Sequence, residues 1–189
     1  MADASTNSFG LFSYIGENGK VKNLNLVNVT VNISGGQVGG VAGTNKGTIT
    51  GCTVSGSVTG ESCVGGVAGK NSARITGCCF TGGNVTGENK NDTRAGGIVG
   101  YNDDGSIMDC YWQAGTGGPE KGIGQDDNNQ SEPTKVEANG WEQYKENLEE
   151  YSITIMDGKP VPNVIKENGT VTLPETVQRV LDAARLFGL

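Results

Sequence analysis

The run Val38-Gly39-Gly40-Val41-Ala42-Gly43 returns as Val64-Gly65-Gly66-Val67-Ala68-Gly69, and again in altered form as Ala95-Gly96-Gly97-Ile98-Val99-Gly100. Each copy is followed by an Asn, a small turn, an Ile and a Cys. Recurrence at such a spacing marks units that cannot bury their apolar face alone and must stack on one another. Cys52 and Cys78 lie 26 residues apart, and Cys78 and Cys110 lie 32 apart, with the insertion near residues 88–93.

Aligning the glycine pairs places Val41, Val67 and Ile98 in one column, with Leu11 as its first member. Val21, Ile49, Ile75 and Ile107 form a second column, and Leu24, Cys52, Cys78 and Cys110 a third. Leu26, Val54, Phe80 and Trp112 make a fourth, and Val31, Val58 and Val85 a fifth. Within a copy the apolar positions are spaced by two, which is strand alternation and not a helical stripe. Short strands, glycine turns and a coil of about 26 residues predict a mainly β chain, a parallel β-helix (solenoid) of about four coils. The glycine pairs are expected at corners with positive φ or too tight for a side chain. Asn18, Asn45, Asn71 and Asn102 are expected in one turn column, where Asn tolerates a left-handed backbone.

Composition narrows the function classes. All but four of the 32 glycines precede residue 125, and no Gly-X-Y period accompanies them, so the bias reads as folded repeat and not collagen. Net charge is −7, split as −1 over residues 1–112 and −6 over 113–189, which argues against a nucleic-acid partner. No run of eighteen apolar residues exists, so no transmembrane segment is expected. The start, Met1-Ala2-Asp3-Ala4, has neither the basic nor the apolar part of a signal peptide. The chain opens directly on a repeat and reads as a piece of a longer protein. It has no histidine, which excludes His-based nucleophile systems and His-Glu-x-x-His metalloproteases. No catalytic residue, metal site or cofactor is expected. Acidic and basic residues are too scattered for a glycan lyase or hydrolase wall.

Three of the five cysteines, Cys52, Cys78 and Cys110, share an inward column with Leu24 and read as buried thiols acting as small apolar groups. Disulfides between stacked neighbours are the alternative, although parallel Cβ vectors give poor geometry for them. Cys79 follows an inward position, so it is expected to face outward as the reactive thiol.

The string Gly-Gly-Val-Ala-Gly-x-Asn-x-Gly-x-Ile-x-x-Cys, ending in Asp109-Cys110-Tyr111-Trp112 with Gly122-Ile123-Gly124 downstream, resembles the GLUG repeat. The resemblance covers residues 8 to 124, about four copies. It implies a right-handed β-solenoid on a bacterial cell-surface or secreted protein, and hence an extracellular or surface location. It transfers no catalytic residue. The function it implies is a non-enzymatic adhesin-like surface or rigid spacer, meeting a host glycan or protein if it binds at all. The alternative is an accessory segment of a larger secreted enzyme, IgA-peptidase-like or glycan-active.

The expected organisation is a solenoid over 1–112, a polar loop over 113–135, and a small α+β cap or module over 136–189. Trp141, Tyr144 and Leu148 predict one face of a helix. Asp157-Gly158 predicts a hairpin turn, with Pro160 and Pro162 marking an edge strand. A strand over 170–173 and a helix over 175–187 complete the tail, which is expected to close the lumen with Trp112 and Trp141. A contact surface is expected at Tyr101, Tyr111 and the 113–135 stretch, including Asp126 and Asp127. The acidic pairs there and at Asp103-Asp104 read as solvated turns in preference to a Ca²⁺ site.

Overall fold

The computed structural model describes residues 7–88, 94–113, 115, 118–127, 132–163, 166–167 and 170–171. Four parallel sheets form the walls of a β-solenoid. The first wall stacks Ser8–Phe9, Gln37–Gly39, Cys63–Gly65 and Arg94–Gly96. The second stacks Phe12–Ile15, Ala42–Asn45, Ala68–Asn71, Val99–Asn102 and Ile123–Asp126. Lys20–Lys22, Thr48–Thr50, Arg74–Thr76 and Ser106–Met108 make the third. Asn25–Asn32, Thr53–Gly60, Cys79–Gly87, Tyr111–Trp112 and Thr134–Lys135 make the fourth.

Period-two alternation sends the repeated apolar residues into the lumen, where each meets its counterpart one strand spacing away, about 4.8 Å. Ile49, Ile75 and Ile107 stand in register, as do Val54, Phe80 and Trp112. Val41, Val67, Ile98, Cys52 and Cys78 are fully buried in the same core, and Ile107 and Cys110 nearly so. Leu11 sits beside Val41, its N–H donating to the Gly40 carbonyl, but as a member of the outermost coil it is 54% exposed.

The two glycines of each pair do different work. A Cβ on Gly39, Gly65 or Gly96 would fall 2.0–2.2 Å from the carbonyl oxygen of Ala42, Ala68 or Val99, so the corner between the first and second walls admits no side chain. The second glycine yields space to the lumen. A Cβ on Gly66 would lie 2.5 Å from the Phe80 ring, and one on Gly97 2.3 Å from Trp112. None of these glycines has positive φ; close approach alone requires them. Left-handed backbone is instead found at the corner between the third and fourth walls, at Asn23, Gly51, Gly77 and Asp109 (φ 50–61°).

The Asn column also departs from expectation. Asn45, Asn71 and Asn102 close the second-wall strands in extended conformation, and Ile15, not Asn18, is their counterpart in the first coil. The turn after Ile15 accounts for the offset: it carries the exposed Asn18 past the column.

The repeat does not stop at Trp112. Within the stretch expected as a loop, Ile123–Asp126 extends the second wall and Thr134–Lys135 the fourth. These begin a fifth coil over the lumen, and Lys135 Nζ lies 5.3 Å from the Trp112 ring centroid. Trp112 therefore closes this end of the core, whereas Trp141 does not.

Trp141 belongs to a second core on the outer flank of the fourth wall, with Cys79, Tyr111, Val136, Leu148 and Ile153. A 3-10 turn, Trp141–Tyr144, and an α-helix, Lys145–Glu149, deliver Trp141 and Leu148 to that flank. The hairpin pairs Ile153–Met156 with Lys159–Pro162 through Asp157 and Gly158, both at positive φ, which suits a two-residue hairpin. Lys166–Glu167 pairs with Thr170–Val171; the helix expected over 175–187 lies outside the described residues.

Candidate functional site

The outer face of the second wall brings together two of the sequence-predicted residues, Tyr101 and Asp127. Tyr14, Thr44, Lys70, Tyr101 and Gln125 occupy successive coils at one strand position. The Tyr101 hydroxyl donates to Asp127 Oδ2, and Gln125 Nε2 donates to Asp127 Oδ1 at 3.0 Å. Two cations flank the Tyr101 ring, Lys70 Nζ at 5.3 Å and Arg94 Cζ at 5.2 Å from its centroid. Lys70 is paired with Asp103 at 2.7 Å, and Arg94 donates to Gln125. Each charge thus has an opposite or hydrogen-bonding partner, leaving a half-buried aromatic in a balanced polar network. The bond to Asp127 chiefly pushes the Tyr101 phenol up to about 12. The same bond holds the Asp127 carboxyl below its ordinary range. At neutral pH this phenol stays protonated.

Asp126 plays another part. Asn45 Nδ2 donates to Asn71 Oδ1 (2.8 Å), Asn71 Nδ2 to Asn102 Oδ1 (2.9 Å), and Asn102 Nδ2 to Asp126 Oδ1 (2.9 Å). This is a buried ladder running in one direction, each amide polarised by the next, and it ends on a carboxylate. Asp126 therefore terminates a structural column beside the Tyr101 face.

Tyr111, expected at the surface, is buried beneath the flank core and stacks at a tilt on Tyr144, with ring centroids 4.8 Å apart. Burial is the first cause that pushes its phenol up to about 12. Cys79, expected as the exposed thiol, does point away from the lumen but is fully covered by the same core. Burial pushes its thiol up, so thiolate chemistry is suppressed. The sequence carries no signal for either outcome, because alternation specifies a residue's wall face and not what later covers it. All five cysteines are free and buried. In the lumen column, Cys52, Cys78 and Cys110 donate to the carbonyls of Thr50, Thr76 and Met108 at 3.4, 3.4 and 3.2 Å. The Cys52 thiol is pushed up by its bond with Cys78 and then by burial, and Cys78 by burial first.

Among the described residues, no three acidic or cysteine side chains converge to hold a metal ion. No helix among them is long and apolar enough to cross a membrane.

Residues 91–111 match the family model of the GLUG motif. The chain carries a GLUG repeat. The match spans the coil whose strands are Arg94–Gly96, Val99–Asn102 and Ser106–Met108, and it ends at Tyr111, so one motif corresponds to about one coil. The three earlier coils stand in register with it, strand for strand. Neither the curated proteins nor the solved structures contain a match to this chain.

Proposed function

We propose that this chain is a non-enzymatic repeat segment of a bacterial cell-surface or secreted protein, serving first as a rigid spacer. The supporting observation is where its aromatic side chains go. Phe80, Trp112 and Trp141 are at most 1% exposed and Tyr111 is 4% exposed, so the large rings are used to hold coils and cap together. An adhesive wall would offer them to a partner. On the repeat surface, Phe12 and Tyr14 of the outermost coil are each 41% exposed, and Tyr101 on the same wall lies among charges that are internally paired. A stack in which each described coil is joined to the next by side-chain columns and parallel ladders resists bending, which is what a spacer requires.

The location is tested by protease shaving of intact cells that express the parent protein with a tag beside this segment. Release of the tag is the expected result. A tag that is protected in intact cells and appears only after lysis overturns the surface assignment, provided that the culture medium also lacks it.

A further inference from the structure

A groove of about 760 Å³ runs along the outer face of the fourth wall, between the strand bulges of the first three coils and the tip of the 153–162 hairpin. We propose that it is a binding site for a neutral saccharide. Its lining combines neutral hydrogen-bonding groups (Asn25, Ser55, Thr81, Gln113) with apolar surface from Val27 and Met156. Val27 and Met156 are 62% and 58% exposed. Sugars are recognised by this mixture, hydroxyls meeting amides and C–H faces meeting apolar groups, and the volume lies within the range of small-ligand sites.

The amides are oriented. Asn25 Oδ1 accepts from Thr53 Oγ1 at 2.7 Å, and Gln113 Oε1 accepts from Trp141 Nε1 at 3.1 Å. Both carbonyls are thereby engaged on the protein side, which leaves the amide N–H groups as donors to a ligand. The floor is opened by backbone geometry. Gly82 has φ +127°, and a Cβ there would meet nothing within 4 Å, so the chain at this bulge faces the groove without a side chain.

Two observations select a sugar over other ligands. The charged residues lining the groove, Asp157 and Lys159, are of opposite sign, so neither an anion nor a cation is favoured. A peptide would need a free strand edge for main-chain pairing. The fourth-wall strands that line the groove in the second and third coils are already paired on both sides, and the hairpin strand carries Pro160 and Pro162, which have no N–H; the first-coil strand Asn25–Asn32 keeps one free edge, which the peptide arm of the test below probes.

The test is an amide-resolved NMR titration of the intact chain with linear trimers of glucose, mannose and N-acetylglucosamine as probes, and an uncharged extended hexapeptide as a further arm. Binding of at least one trimer with a Kd of about 1 mM or tighter is expected, with shifts at Asn25, Gly56, Gly82 and Gly158. Val27→Trp, which fills the groove from an exposed position, should weaken binding at least about tenfold, whereas Lys70→Ala on the second wall should not. A thermal melt of each variant checks the fold. Failure of all three trimers to shift these amides overturns the proposal, as does trimer binding undiminished by Val27→Trp. So does binding of the hexapeptide alone at these amides. None of these outcomes bears on the surface location, which the shaving experiment reads separately.

Discussion

Ile75 reduces the repeat to one side chain: fully buried, with Ile49 and Ile107 in register on the neighbouring coils. Truncation to Ala removes its transfer energy and leaves a cavity that rigid neighbouring coils cannot close. Ile75→Ala should therefore cost about 2–4 kcal/mol, measured by urea unfolding. A loss below about 0.5 kcal/mol, the scale of ordinary surface substitutions, would mean that this column is not lumen. The phenols of Tyr101 and Tyr111 give a pH prediction at the same scale. Both are pushed up to about 12, the first mainly by its bond to Asp127 and the second mainly by burial. A raised pKa means that the folded chain binds the proton more tightly. The resulting stabilisation is whole below the usual phenol pKa of about 10 and is lost as pH rises towards the folded values. Asp127 has the opposite sign: its contribution is present above the usual carboxylate range and fades as pH falls through its lowered value. Phenolate absorbance should show three late-titrating tyrosines: one removed by Tyr101→Phe, one by Tyr111→Phe, and Tyr151, which is pushed up chiefly by its bond to Asp109. Titration of every phenol together near the ordinary value of about 10 would contradict these environments.

Among the elements, the helix and hairpin of the tail are short and borrow their stability from the wall they cover. Their seat is the left-handed corner. The Tyr151 ring lies against Gly77, where a Cβ would fall 2.0 Å from Cγ, and its hydroxyl donates to Asp109 on the next coil. Trp141 packs at 1% exposure over the flank and donates to Gln113. Trp141→Ala should cost about 3–5 kcal/mol and loosen the cover over Cys79. The readout is thiol modification under native conditions. The parent chain should react slowly, whereas Trp141→Ala should gain one fast-reacting thiol, absent in the Trp141→Ala, Cys79→Ser double variant. Fast reaction of Cys79 in the parent chain would show that the cap does not cover it. The helix face and the hairpin turn are legible in the sequence, because the spacing of Trp141, Tyr144 and Leu148 and the Asp157-Gly158 pair are local signals. Their docking on the flank and not across the lumen is not legible, since Trp112 and Trp141 look alike as candidates for closing the end.

Across the whole molecule the two ends of the stack differ. At one end Trp112, Lys135 and the start of a fifth coil cover the lumen. At the other, Leu11, Phe12 and Tyr14 are 41–54% exposed, and Leu24, Leu26 and Val31 are only partly buried. A stack of nearest-neighbour interfaces loses half of its contacts at an uncovered coil. Native-state hydrogen exchange of this chain should show the weakest wall protection at Phe12–Ile15 and Asn25–Asn32. The strongest should fall at Ala68–Asn71 and Cys79–Gly87, with coils on both sides. Uniform protection along the axis would mean that the coils open only as one unit.

The sequence by itself determined the lumen. Alternation, a repeated coil length and a glycine pair per coil bring Ile49, Ile75 and Ile107, or Val54, Phe80 and Trp112, into columns, because each coil can bury its apolar face only against an equivalent one. Tertiary structure alone decided the outside. Whether an outward residue such as Cys79 or Tyr111 meets solvent depends on where the non-repeating tail folds back. That is set by long-range fit to one flank, at Gly77 and Asp109, and no periodic signal encodes it.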